Sequence, residues 1–249
     1  MSFQQNHDDL IQLRLPAMAE YYQLDQDNPD ISRLSFDERF GLYLSAQISY
    51  QYQKRFERNL RVSKIKMTTA CVENILYNTE RNLQRSVMQP LTLCDWVKRK
   101  QNIVFIGATG LGKSYLASAL GIEALRKDYR VFYQRLPRLL EMMESARLEG
   151  TLSRLRTRIS KFHVLILDDW GVAPIEPQGR QDLLEVVEDK TGVGSLIITS
   201  QLPIEKWHEY LGEPTIADAI VDRIVHRAHR ITLEGESLRK LRKDEPLDD

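Results

Sequence analysis

Three short apolar runs punctuate the chain: Ile103–Ile106, Val164–Leu167 and Leu196–Ile198. None alternates with polar residues, and each ends in polar or turn residues. That pattern predicts strands buried on both faces, as in a parallel sheet with helices on either side. Further strands are expected at Arg130–Gln134 and Arg230–Leu233. Helical periodicity occupies Tyr115–Leu125, residues 136–160, Arg180–Lys190 and Pro214–His226. Strands and helices alternate, so the expected fold class is α/β, a parallel sheet flanked by helices.

The first third of the chain has no strand signal. Leu10, Leu13, Met18 and Tyr22 give a short helical pattern limited by Pro16, and Asn28-Pro29-Asp30 reads as a turn. Ser35 and Glu38 form an S-x-x-E capping box opening a longer helix. Phe36, Phe40, Tyr43, Leu44, Ile48 and Tyr52 recur at helical spacing and predict one apolar face on it. Residues 67–101 read as a connecting region, with Pro90 as a breaker and Thr92 as a possible helix cap. The expected organisation is a small all-helical domain over 1–67, for DNA or partner binding, followed by a nucleotide-binding domain over 68–249.

The chemistry centres on Gly107-Ala108-Thr109-Gly110-Leu111-Gly112-Lys113-Ser114, which fits G-x-x-x-x-G-K-[ST] at every fixed position. Glycines let the backbone close around a phosphate chain, and its N–H groups join the positive end of the following helix dipole. Lys113 is placed to reach the β- and γ-phosphates of ATP, and Ser114 to ligate Mg²⁺. The run Val164–Leu167 ends in Asp168-Asp169, carboxylates at the C-terminal edge of a strand, where open α/β sheets bind ligands. Asp168 suits Mg²⁺ held through its water shell, and Asp169 suits orientation of the attacking water. Thr199, Ser200 and Gln201 end the next strand, where a polar side chain is placed to meet the γ-phosphate or the water.

Charge sharpens the picture locally. Lys+Arg and Asp+Glu are both 35, which excludes a global polycation. Yet residues 54–66 carry Lys54, Arg55, Arg58, Arg61, Lys64 and Lys66 against Glu57 alone, interleaved with apolar residues. Between residues 147 and 161, Arg147, Arg154, Arg156, Arg158 and Lys161 face only Glu149. Both clusters suit a DNA phosphate backbone; a solvated helix face is the plainer alternative. Cys71 and Cys94 form no C-x-x-C pair, and His226 and His229 near Asp222 lack an H-E-x-x-H frame, so a structural role is expected there. Without a leader pattern or a membrane-length apolar run, the chain reads as cytoplasmic.

Taken together, Gly107–Ser114, Val164-Leu-Ile-Leu-Asp-Asp-Trp-Gly171, Ile198-Thr-Ser-Gln-Leu-Pro203, Asp222-Arg223 and Gly235-Glu-Ser-Leu-Arg239 resemble the IstB-type ATP-binding proteins of bacterial insertion sequences. These are AAA+ helpers of the IstA transposase, related to the helicase loader DnaC and the initiator DnaA. The resemblance runs from about residue 10 to about residue 240. It implies an AAA+ P-loop ATPase that forms homo-oligomers on double-stranded DNA with ATP, deforms the target and delivers it to a transposase. By it, Gln201 stands where a sensor Asn is usual, Arg223 matches an arginine finger, and Arg239 matches a second phosphate-sensing arginine. Asp169 replaces the usual catalytic Glu, one methylene shorter, which implies slow hydrolysis. The sixteen residues after Leu233 are too few for the helical lid usual in AAA+ proteins, so a neighbouring subunit is expected to cover the nucleotide. A replicative helicase loader, a small-molecule kinase and a module using ATP only as a clamp are the other readings.

Overall fold

The computed structural model describes residues 2–77 and 81–238, in two compact units, Met1–Arg58 and Asn59–Asp249. The division falls inside one continuous helix.

The first unit is helical: α1 (Phe3–Gln12), α2 (Pro16–Asp27), α3 (Pro29–Ser32) and the larger part of α4 (Phe36–Ser63). The capping box forms as the spacing requires: Ser35 N–H donates to Glu38 Oε2 at 2.8 Å, and Glu38 N–H to Ser35 Oγ at 3.4 Å. The apolar face expected on α4 is a different matter. Tyr43 is buried, but Phe36 is 68% and Ile48 66% exposed, and Phe40, Leu44 and Tyr52 are exposed too. The side of α4 that packs inward carries polar groups instead. Arg39, Tyr43 and Gln47, four residues apart, form one stripe. Tyr43 Oη and Arg39 Nη1 donate to the buried Asp25, the latter at 3.0 Å. Gln47 Oε1 accepts from the N–H groups of Ala17 and Met18, at 3.1 and 3.3 Å, and so caps the start of α2. Helical spacing shows which side chains share a face; it does not tell which face turns inward.

The second unit contains α5 (Arg85–Thr92), α6 (Asp95–Lys98), β1 (Asn102–Ile106), α7 (Lys113–Arg126), β2 (Val131–Arg135) and α8 (Leu136–Leu148). Then follow α9 (Leu152–Ser160), β3 (Val164–Trp170), α10 (Pro177–Lys190), β4 (Ser195–Ser200), α11 (Trp207–Leu211), α12 (Pro214–Val225) and β5 (Ala228–Thr232). Pro90 lies within α5 rather than ending a helix, and Thr92 Oγ1 donates back to Gln89 O, so Cys94, in the left-handed region, starts α6 instead. The helix expected over 136–160 is two helices, because Gly150 takes a left-handed φ of 68° after the last turn of α8.

All strand pairs are parallel, in the order β2-β3-β4-β1-β5. One sheet face packs on α8 to α12 through residues such as Phe132, Leu165, Leu167 and Ile198, together with Trp170 and Trp207. The other face meets α7, where Gly121 lies against Ile166 and Val131. Lys190 is buried at the end of α10, and its ammonium donates to the carbonyls of Ser160 (3.3 Å) and Phe162. All strands are parallel, so the C-terminal ends of β3, β4 and β1 lie side by side at one edge of the sheet, where ligands bind in folds of this kind.

Candidate functional site

The loop Gly107–Gly112 joins the end of β1 to the first residue of α7, and two short segments hold it closed on itself. After β5, Leu233 N–H donates to Ile106 O at 2.7 Å and Leu238 N–H to Gly110 O at 3.0 Å. Gly110 has φ 88°, and a Cβ there would fall on Ser237 Oγ; at Gly107 it would lie 2.5 Å from Leu233 O. From the other side comes Arg81, buried, with Nη2 donating to Leu111 O and Nη1 to Leu76 O, both at 2.6 Å. Ala108 and Thr109 form the exposed tip of the loop. Lys113 Nζ is turned back onto the carbonyls of Gly107 (2.6 Å) and Ala108 (2.8 Å). Burial lowers its pKa from the ordinary lysine value, against the opposing pull of Asp168 and Asp169. α7 begins with no acidic residue and no side-chain cap, which leaves its first N–H groups for an anion. This cradle fits a phosphate chain.

Asp168 reaches the loop across the sheet. Its carboxylate, 4% exposed, takes a hydrogen bond on Oδ1 from Ser114 Oγ at 2.8 Å and another from Thr199 Oγ1; Oδ2 accepts from Tyr133 Oη. A hydroxyl and a carboxylate from two elements, both hard oxygen donors, fit a Mg²⁺ ion that keeps several waters and shares substrate phosphates. No cluster of three or more His, Cys, Asp or Glu residues suited to a metal occurs among the described residues.

Asp169 departs from strand geometry. Successive side chains of a regular strand point to opposite faces. Asp169 has φ 61°, and the pairing of β3 with β4 shifts register between Leu167 and Trp170. Both carboxylates therefore meet side chains from one face of β2: Tyr133 on Asp168, and Arg135, two residues on, in an ion pair with Asp169. Thr199 ties the pair together, since it also accepts from Asp169 N–H at 3.2 Å. Tyr133, Arg135 and Arg81 escaped sequence reasoning because their contacts cross between strands or segments distant in sequence. Period-2 spacing of Tyr133 and Arg135 was the available hint.

Other candidates lie elsewhere. Gln201 is exposed just beyond β4, and Thr199 is the β4 residue on the carboxylates; Ser200 Oγ bonds the carbonyls of Trp170 and Leu202. Arg223 is in the last turn of α12, where its Nη2 donates to Glu188 Oε1 and its Nη1 to Ala219 O, both at 2.9 Å. Its carbonyl accepts from Asn102 Nδ2 at the start of β1, one strand length, about 15 Å, from the loop. Arg239 lies outside the described residues.

Arg154 and Arg158 on one face of α9, with Lys161 just after its end, line a groove of about 520 Å³ together with Ser153 and Thr157. Arg156 points the other way, paired with Glu185 and, at 3.0 Å, with Asp189 of α10. Lys54, Arg55, Arg58, Arg61 and Lys64 are all exposed, Lys54 and Arg55 lying over the rings of Tyr50 and Tyr52. No helix among the described residues is long and apolar enough to cross a membrane.

Comparison with known proteins gives a concordant picture. The profile of the IstB-like ATP binding proteins matches residues 8–246. A putative insertion sequence ATP-binding protein of Sinorhizobium fredii, y4pL, is 44% identical over 94% of this chain and 95% of its own. The IS1162 putative ATP-binding protein of Pseudomonas fluorescens is 41% identical over 78% of this chain and 84% of its own. Among solved structures, the DnaC helicase loader superposes with a TM-score of 0.58 at 16% identity, over 67% of this chain and 97% of that one. AMPPCP-bound DnaA from Aquifex aeolicus gives 0.55 at 21% identity, over 71% of this chain and 54% of that one. These likenesses identify the fold as the AAA+ core.

Proposed function

Because the chain belongs to the IstB-like ATP binding protein family, we propose that it is a Mg²⁺-dependent ATPase that assembles on double-stranded DNA and assists a transposase in DNA transposition. The observation that carries the nucleotide part is Ser114 Oγ 2.8 Å from Asp168 Oδ1 beneath the phosphate loop. Lys113 releases the loop carbonyls and binds the β- and γ-phosphates. Ser114 and Asp168 hold Mg²⁺, which when bound draws charge from the phosphate oxygens. Asp169, held by Arg135, orients the attacking water. Arg223 is too far from the loop of its own chain to act there, which supports a role at the site of an adjoining protomer, after its exchange of Glu188 for a phosphate. Such an arrangement makes nucleotide binding and oligomerisation one coupled event.

Arg154 and Arg158 of α9 and Lys161 just after it contact DNA, together with the exposed basic residues 54–66 at the end of a helical domain over 1–67. Arg156 serves α9 instead, by tying it to α10. Phosphate release measured with and without duplex DNA tests the reading. Stimulated release that disappears in Lys113→Ala is expected; release that persists in Lys113→Ala would sink it.

A further inference from the structure

Tyr133 is the member of the Asp168 cluster supplied by neither the phosphate loop nor β4. Three hydroxyls meet this carboxylate, and they divide unequally: Ser114 and Thr199 on Oδ1, Tyr133 on Oδ2. Asp168 and Tyr133 are both buried, so neither oxygen has water as a substitute partner. Ser114 is the hydroxyl that a metal would engage. Thr199 has its one donor on Asp168 and accepts from Asp169 N–H. Tyr133 therefore holds the far oxygen, and with it the torsion of the group, because the χ2 of an aspartate is a soft two-fold rotation.

We propose that Tyr133 is a positioning residue for the metal: its hydroxyl pins Asp168 Oδ2, keeps Oδ1 turned to Ser114 and the loop, and so sets the Mg²⁺ affinity of the nucleotide site. The inference rests on the reading of that site as one for Mg–ATP. The rigid ring suits the task, since it is fixed on β2 within the sheet face that also carries Thr199. A phenol keeps its proton at neutral pH, so the hydroxyl serves Asp168 as a donor. Removing it leaves a buried carboxylate oxygen without its donor. The carboxylate torsion is then no longer pinned from its far side, and Oδ1 is not held in one orientation toward Ser114 and the metal position.

The test is Tyr133→Phe in the full chain, read as the affinity for a fluorescent methylanthraniloyl-ATP, first in EDTA and then across a Mg²⁺ titration. Without metal the variant should bind within about two-fold of wild type, because Lys113 and the loop are intact. The half-saturating Mg²⁺ concentration should rise about ten-fold, equivalent to roughly 1.4 kcal/mol, at the lower end for a hydrogen bond to a charged group. An unchanged Mg²⁺ requirement overturns the inference and leaves Tyr133 as packing. If Tyr133→Phe also loses metal-free binding, Tyr133→His, which keeps a ring donor, takes its place in the titration. A near wild-type Mg²⁺ requirement there upholds the donor role, and a ten-fold rise overturns it. A wild-type protein whose nucleotide affinity ignores Mg²⁺ overturns the underlying reading of the site and this inference with it.

Discussion

Replacing Arg154, Arg158 and Lys161 together by Gln should flatten the salt dependence of DNA binding, and replacing Arg156 by Gln should not. The four residues share a short stretch, α9 and the residue after it, but face differently. The first three line an open groove together with Ser153 and Thr157. Arg156 makes a two-pronged contact with Asp189, at 3.0 and 3.1 Å, and also pairs with Glu185. Each lost phosphate contact removes about 0.9 from the slope of log K against log salt. Three lost contacts per protomer remove about 2.7, so between roughly 50 and 200 mM salt the variant should forfeit about 40-fold less affinity than wild type. Arg156→Gln strips a half-buried cation from two carboxylates, and should lower unfolding stability by on the order of 1–2 kcal/mol with the slope unchanged. Fluorescence anisotropy of a labelled duplex across a salt series, fitted per bound protomer, reads the slope; urea unfolding reads the stability. A wild-type slope in the triple variant, or a slope reduced in Arg156→Gln, would refute the assignment of faces.

Neutralising Arg55, Arg58 and Arg61 should likewise weaken duplex binding and flatten its salt slope; unchanged affinity and slope would remove that cluster as a contact surface. Asp169→Glu should raise ATP turnover, by up to about ten-fold, and Asp169→Ala should lower it about a hundred-fold. Full DNA-stimulated turnover in the alanine variant would end the water-orienting role. Lys190 supplies a pH test. Burial, then Arg130, push it down to about 8 in the folded chain from an ordinary 10.5. Between those values the unfolded chain binds more protons, so the stability Lys190 contributes should rise with pH across that window. The stability of wild type relative to Lys190→Met, from chemical unfolding at several pH values, should follow that rise; a flat difference would contradict it.

The nucleotide site was the most legible part of the sequence because its constraints are local. A loop that must wrap phosphate admits only glycine where a Cβ would strike Leu233 or Ser237, and that restriction is written in eight consecutive residues. Asp168 was legible for a related reason, as a carboxylate ending an apolar run. The arrangement around it was not. Tyr133 and Arg135 reach Asp168 and Asp169 only because β2 pairs with β3 in one register, with Arg135 beside Asp168, and because Asp169 breaks the alternation of β3. Inter-strand pairing leaves no mark at either position alone. On α9 the information was present in part: residues 154 and 158 share a helical face and 156 does not. The acidic partners on α10 that hold Arg156 could not be assigned without the packing. On α4 the spacing identified a face correctly and its environment wrongly, since Arg39, Tyr43 and Gln47 turn inward to satisfy Asp25 and the start of α2.

In the proposed assembly, ATP is hydrolysed by the loop of one protomer with the arginine of the next. Mixing two inactive variants tests it most directly: Lys113→Ala, with a dead site and a working arginine, and Arg223→Ala, with the reverse. Arg223→Ala alone should lose on the order of 10³-fold in DNA-stimulated turnover. In an equal mixture about a quarter of the interfaces in a head-to-tail assembly pair an intact site with an intact arginine. Phosphate release from the mixture should therefore recover to roughly a quarter of the wild-type rate. Wild-type hydrolysis by Arg223→Ala alone would contradict the account, and so would a mixture that stays inactive although mixed assemblies form.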